Sequence, residues 1–323
     1  MRKRCMHALP LAALLLGAAC VKQPVSGVGL QNAQTRVAFG ANTPAPSSTV
    51  PTPAPLTAAE REQLGPSFND KAYLSRLPPV SSNERCVKAA PGSAAAEAAG
   101  LNAKGTPATG VYRWKYAGTR SITTPPVKFN VSGFERRLLR NVRRTGNDFT
   151  FEVAEPDKLY NNRVVVTTYR VRPAARNQQV TATDQRAGDP DRGLSILRVD
   201  SLDAKTGQSV SSFQPQPPIL LLPLPVLAGE RFQSIGADPR TLRSVEIDAQ
   251  VVRRERVDAC GEIVDGWYVK ATRTDSGSTP VPYDLIVATQ LGAMPISLHT
   301  IYQNPAVSAD VTFSLGQVKP SRS

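Results

Sequence analysis

The chain is predicted to be mainly β, a curved antiparallel meander built as a half-barrel, barrel or sandwich. Three observations predict it. From Gly110 onward apolar residues recur with a period near two, turn residues punctuate these runs at regular spacing, and no helix of ordinary length interrupts them. Successive side chains of a strand point to opposite faces, so a half-buried strand alternates where a helix would repeat every three to four residues.

The first strand starts at Gly110. Val111, Arg113 and Lys115 fall on one face and Tyr112, Trp114 and Tyr116 on the other, which makes an aromatic inner face. The stretch from Phe134 to Val142 fits both periods, because Phe134, Leu138, Leu139 and Val142 also have helical spacing. Strand is preferred, since Gly146-Asn147-Asp148 follows as a hairpin turn and Phe149, Phe151 and Val153 resume the alternation. Residues 163–171 (RVVVTTYRV) are rich in β-branched side chains, whose stiff χ1 suits a pleated backbone. Residues 195–201 and 209–213 flank Asp203-Ala-Lys-Thr-Gly207, a second hairpin signature. Further strands are expected at 231–235, 244–257, 263–272, 283–289, 294–302 and 311–315. The run at 217–226 (PPILLLPLPV) is too short and too proline-rich to span a bilayer. It is expected in the core or over an open sheet edge, with the lining of a lipid-binding mouth as the alternative.

Upstream of these strands the composition changes. Residues 21–85 read as a tether, with TPAPSSTVPTPAP at 43–55 favouring extended chain that has little apolar area to bury. Within it, Thr57-Ala-Ala-Glu60 has capping-box spacing and predicts a short helix ending near Gly65-Pro66. The segment SAAAEAAG at 93–100 predicts another brief helix stopped by glycine.

Residues 1–20 combine a positive start (Arg2, Lys3, Arg4), an apolar run from Leu9 to Leu16, and Gly17, Ala18 and Ala19 leading into Cys20. This is the pattern of an export signal. Its apolar run is well under the ~20 residues of a membrane-spanning helix. The LGAAC ending resembles the lipobox of bacterial membrane lipoproteins, with the leucine one place further from the cysteine than usual, as Leu16. An ordinary signal peptide with an incidental cysteine is the alternative. The resemblance covers about the first quarter of the chain. It implies cleavage before Cys20, diacylglycerol and palmitate on that residue, and a mature protein anchored at the extracytoplasmic face of the cell membrane. The organisation that follows is 1–19 signal peptide, 20–85 lipidated cysteine and Pro/Ala/Thr-rich linker, 86–319 β-rich extracytoplasmic domain and 320–323 tail. The body is similar in style to envelope lipoproteins built as a curved half-barrel, which implies an apolar small molecule that is carried or sensed.

With Cys5 in the leader and Cys20 acylated, Cys86 and Cys260 remain. In an oxidising compartment they most simply form one disulfide; two separate buried thiols are the alternative. The bridge would close a loop of about 170 residues, for which chain entropy sets a ceiling of ~5 kcal/mol.

The formal net charge is +13. For an exported chain this points to anionic lipid or acidic wall polymer rather than nucleic acid. The densest basic cluster is Lys128, Arg136, Arg137, Arg140, Arg143 and Arg144. It is read either as a contact with such an anionic surface or as a solvated edge that resists aggregation.

Catalytic constellations are sparse. Outside the leader the one histidine is His299, expected as a half-exposed strand residue rather than a catalyst. Asp258, Glu262 and Asp265 surround Cys260 and could form a paired-carboxylate centre, but Asp and Gly in DACGEIVDG also suit tight bends. Asp189, Asp191 and Asp200 do not have calcium-loop spacing. No phosphate loop, nucleophile elbow or Cys-x-x-Cys pair occurs, and no metal or cofactor is expected. The expectation is a cell-envelope lipoprotein with a non-enzymatic binding or scaffold role, carrying an apolar ligand. The alternative is a wall-modifying hydrolase that uses the clustered carboxylates.

Overall fold

The computed structural model describes residues 50, 52–64, 100–160, 162–174, 192–303 and 305–320. They form one α-helix, α1 (Ala58–Leu64), a short 3-10 helix (Thr289–Leu291) and thirteen strands. The strands are β1 (Gly110–Ile122), β2 (Val127–Thr145), β3 (Asp148–Pro156), β4 (Arg163–Val171), β5 (Gly193–Asp203), β6 (Ser209–Phe213) and β7 (Ile219–Pro223). They continue as β8 (Arg231–Asp238), β9 (Arg243–Ala259), β10 (Glu262–Asp275), β11 (Val281–Ala288), β12 (Met294–Gln303) and β13 (Val307–Leu315). Every strand expected from the alternation is present, the ambiguous 134–142 stretch lies within β2, and the turns at 146–147 and 204–208 join the strands they were expected to join.

Twelve strands follow one antiparallel path, β6-β5-β4-β3-β2-β1-β13-β12-β11-β10-β9-β8, so β1 and β13 pair and bring the two ends of the meander together. β7 lies off this path and pairs β5. The sheet curls into a nearly closed barrel because the segment around β7 meets β8. Gln216 N–H donates to the Ala237 carbonyl at 2.8 Å, Leu220 N–H to Ser234 Oγ at 2.8 Å, and Gln214 N–H to Asp238 Oδ2 at 2.8 Å. Gly236 allows this approach: a Cβ there would sit 2.7 Å from the Pro217 carbonyl oxygen. The run at 217–226 is therefore core and edge cover at once, and its Ile219–Pro223 portion is a fully buried strand.

Alternation sets the two faces. Tyr112, Trp114 and Tyr116 of β1, Phe149 and Phe151 of β3, and Val245, Ile247 and Ala249 of β9 all point into the main core. Bulges give the sheet its curvature. One lies in β2, where the pairing shifts between Arg140 and Arg143 and Asn141 takes φ 53°, a left-handed conformation that Asn tolerates better than most residues.

A second, smaller core lies on the outer face. There Leu56 and Leu64 bracket α1 and cover Leu138, Ala154, Val164, Val166 and Leu202. The capping box forms as its spacing predicts, with Thr57 N–H donating to Glu60 Oε2 at 2.7 Å and Glu60 N–H to Thr57 Oγ1 at 3.2 Å. Residues 52–64, expected as part of the tether, thus pack on the barrel. The physical reason is the two leucines: each is nearly fully buried, and burying one contributes roughly 1.5–3 kcal/mol. The rest of the expected tether, and the expected helix at 93–100, lie outside the described residues apart from Val50 and Gly100. Among the described residues no helix is long and apolar enough to cross a membrane.

Candidate functional site

Inside the barrel lies a cavity of about 430 Å³. It reaches the end of the barrel that holds the β3–β4 turn (Asp157 to Tyr160) and the β10–β11 turn (Ser278, Thr279). Its lining divides into two kinds of wall. Ile196 of β5, Ile219 of β7, and Val245 and Ile247 of β9 present hydrocarbon. Arg137 of β2, Glu155 of β3 and Lys158 of the following turn present charge, with Tyr169, Tyr283 and Tyr302 beside them.

The charged wall is an ion-pair network with Glu135 behind it. Arg137 Nε donates to Glu135 Oε1 at 2.6 Å and lies 2.9 Å from Glu155 Oε2. Lys158 Nζ donates to Glu135 Oε2 at 2.7 Å and to the Pro156 carbonyl at 2.8 Å, and lies 3.5 Å from Glu155 Oε2. The Arg137 guanidinium stacks over Trp114 at 4.0 Å and faces Phe313 at 4.8 Å, while Lys158 Nζ lies 4.9 Å from the Phe313 ring. Two cations thus meet two carboxylates. An isolated buried charge would cost several kcal/mol, so this matching is what makes the wall tolerable. Four polar atoms of the lining are buried without a hydrogen-bond partner: Arg137 Nη2, Glu155 Oε2, whose contacts with Arg137 and Lys158 are ion pairs, and the hydroxyls of Ser201 on β5 and Ser212 on β6.

Two members of the network, Glu155 and Arg137, are shifted toward their charged forms. Burial pushes the Glu155 carboxyl up, but Arg137 and Lys158 more than offset it and leave it below its ordinary value. Burial pushes the Arg137 guanidinium down, and Glu155 and Glu135 overcome that and raise it. Burial raises the phenols of Tyr169, Tyr283 and Tyr302, with the Glu155 charge adding to the shift in each. The carboxylate stays ionised and the phenols stay protonated near neutral pH, so these groups are poised to hydrogen-bond rather than to exchange protons. At the rim, Arg273 pairs with Asp275 at 2.8 Å, and Arg243 lies over Phe213 at 5.8 Å.

The residues singled out in the sequence fall elsewhere, with one exception. Of the basic cluster, Arg137 and Arg140 are buried, not surface contacts. Arg137 is the exception that reaches the cavity. Arg140 points to the outer face, where it donates to Glu152 at 3.0 Å, to Glu60 at 3.1 Å and to the Ala54 carbonyl at 2.5 Å. Lys128, Arg136, Arg143 and Arg144 are exposed. The first and last of these lie on one strand sixteen residues apart, roughly 50 Å at the rise of an extended chain, so the four do not make one patch.

Asp258 and Asp265 share a face of the β9–β10 hairpin, and each is already engaged. Asp258 Oδ1 accepts the Gly261 N–H at 2.6 Å, and Asp265 pairs with Arg256 at 3.3 Å. Glu262 opens β10 opposite Ala259. Cys260 and Gly261 form the two-residue turn, with φ 56° and 100°. The other expected bend, at Asp265-Gly266, is instead the interior of β10. His299 is half-exposed, as expected, between Asp310 at 3.0 Å and Asp284 at 3.6 Å. Asp200 is fully buried against Arg198 at 2.8 Å. Cys20, Cys86, Asp189 and Asp191 lie outside the described residues. Among the described residues no group of three or more His, Cys, Asp or Glu side chains is arranged to hold a metal ion.

Sequence reasoning missed Glu135, Glu155 and Lys158. A signal existed: Phe149, Phe151 and Val153 define the inner face of β3, and the next residue of the same parity is Glu155. No protein-family model, no curated protein and no solved structure matches this chain.

Proposed function

We propose that the chain is a cell-envelope lipoprotein, anchored through Cys20 at the extracytoplasmic face of the cell membrane, whose barrel binds a small molecule with an apolar body. The observation that carries the binding role is the cavity of about 430 Å³ with one hydrocarbon wall. That volume falls within the ~300–1,000 Å³ of small-molecule sites. The anchor rests on the lipobox-like LGAAC ending and the proline-rich spacer. A Cys86–Cys260 bridge belongs to the same reading, and the engaged, buried state of Cys260 supports it. The exposed Lys128, Arg136, Arg143 and Arg144 would add diffuse attraction to anionic lipid or wall polymer.

The binding role is tested with N-phenyl-1-naphthylamine, an uncharged apolar probe that brightens when it leaves water. Wild-type protein should give a saturable rise, and Ile247→Trp, which fills the apolar wall, should abolish it while keeping the β-type circular dichroism. A wild-type protein that leaves the probe dark would remove the reading. Intact mass of membrane-extracted protein tests the anchor. A chain beginning at Cys20 with acyl chains attached is expected, and a bare, unprocessed amino terminus would refute it.

A further inference from the structure

We infer that the cavity selects uncharged amphiphiles, holding a carbonyl, ester or hydroxyl head against Arg137 and laying the tail along the wall of Ile196, Ile219, Val245 and Ile247. The inference rests on the cavity being a ligand site, as proposed above, and adds the chemistry of the head.

Charge counting decides the head. Arg137 and Lys158 each face both Glu135 and Glu155, so two cations and two carboxylates already neutralise one another. The remaining charged groups of the lining sit toward the rim: Arg273 is paired with Asp275, and exposed Arg243 is offset in sign by Asp157. An anionic head would therefore bury one unmatched negative charge, and a cationic head one unmatched positive charge, each disfavoured in a site shielded from water. A neutral oxygen carries neither penalty.

The structure also supplies what a neutral oxygen needs. Arg137 is 6 % exposed, lines the cavity, and keeps Nη2 without a hydrogen-bond partner. An unfilled buried donor is costly, and an acceptor oxygen satisfies it. Strand register places Glu155 opposite Val165 and Val165 opposite Ser201, so the unpartnered Ser201 hydroxyl lies on the same inner row, two strands further round. It can donate to or accept from a second head oxygen. The space bounds the tail: at the ~30 Å³ that one water occupies in the liquid, 430 Å³ equals about 14 such groups.

The test compares three ten-carbon probes on the intact chain by displacement of N-phenyl-1-naphthylamine: 1-monodecanoylglycerol, decanoate and decyltrimethylammonium. The glycerol ester should bind at least about tenfold more tightly than either ion, which is the worth of one hydrogen bond to a charged group. Arg137→Lys keeps the charge and the carboxylate pairing but deletes Nη2, so the ester should lose about that factor relative to the naphthylamine measured on the same variant. If Arg137→Lys does not fold, Ser201→Ala should weaken the ester in the same direction. Decanoate or the ammonium binding as tightly as the ester, with naphthylamine binding intact, overturns the head-group inference alone. Failure of the naphthylamine itself to bind wild-type protein overturns this inference together with the binding reading beneath it.

Discussion

On the β2–β3 side of the cavity Glu135, Arg137, Glu155 and Lys158 turn four charges inward, whereas on the β7–β9 side Ile219, Val245 and Ile247 turn in only hydrocarbon. Both walls bury side chains to a similar depth. They differ in how the burial is made tolerable. Hydrocarbon gains from leaving water in proportion to its area, so each residue contributes by itself and losses come in increments. Buried charges gain only through one another, so losing one member leaves the others exposed to the full penalty of a dry environment. The apolar wall is held by area, and the charged wall is held by pairing and so risks a sharp failure.

Breaking the charged wall should have the largest effect. Arg137→Ala leaves Glu135 and Glu155 with Lys158 alone, and urea unfolding should show a loss of about 3–5 kcal/mol. Replacing all four charged residues together by apolar side chains of similar volume should recover most of that loss, which sharpens the contrast between pairing and area. On the apolar side, Leu222→Ala removes a fully buried side chain from β7, and the same measurement should show about 2–4 kcal/mol. A loss for Arg137→Ala well below that for Leu222→Ala would mean that the network is hydrated and the contrast is wrong.

The closure where the segment before β7 meets β8 should respond to pH. Asp238 is fully buried. Burial pushes its carboxyl up, but the Arg240 side chain and the N–H groups of Gln214 and Arg240 more than offset this and hold it well below the ordinary aspartate value. A depressed folded-state pKa means that the stabilisation is fully present above the unfolded value of about 3.9 and is lost as pH falls through that value toward the folded one. Wild-type protein should therefore lose more stability than Asp238→Asn between about pH 5 and pH 2. At neutral pH the variant should be weaker by about 1–3 kcal/mol, since Asn cannot replace a charge-assisted acceptor. Parallel acid limbs in the two proteins would show that Asp238 is not the titrating group at the closure.

How far the sequence could be read depended on the range of the interaction concerned. Tyr112, Trp114 and Tyr116 declare an inner face through spacing alone, and Thr57 and Glu60 declare a helix start through a reciprocal pair three residues apart. The roles of Arg137 and Arg140 could not be read in this way. Alternation says only that an odd and an even position face opposite sides, and both arginines look like surface residues until each side is known to be covered. Arg140 is buried because Leu56, Glu60 and Leu64, some eighty residues earlier, fold back over the outer face. Arg137 is buried because β1 and β13 close over it with Trp114 and Phe313.

Local rules of period, turn chemistry and capping therefore determined the strands, their order of inner and outer residues, and the short helix. These follow from one to four residues of chain and need no partner. Only the tertiary structure decided that the sheet closes on itself at Gln216 and Ala237, that a cavity is left inside, and which charges are enclosed with it. Closure is a long-range event: it sets which groups lose water and which carboxylate meets which cation, and those distances are fixed by strands far apart in sequence.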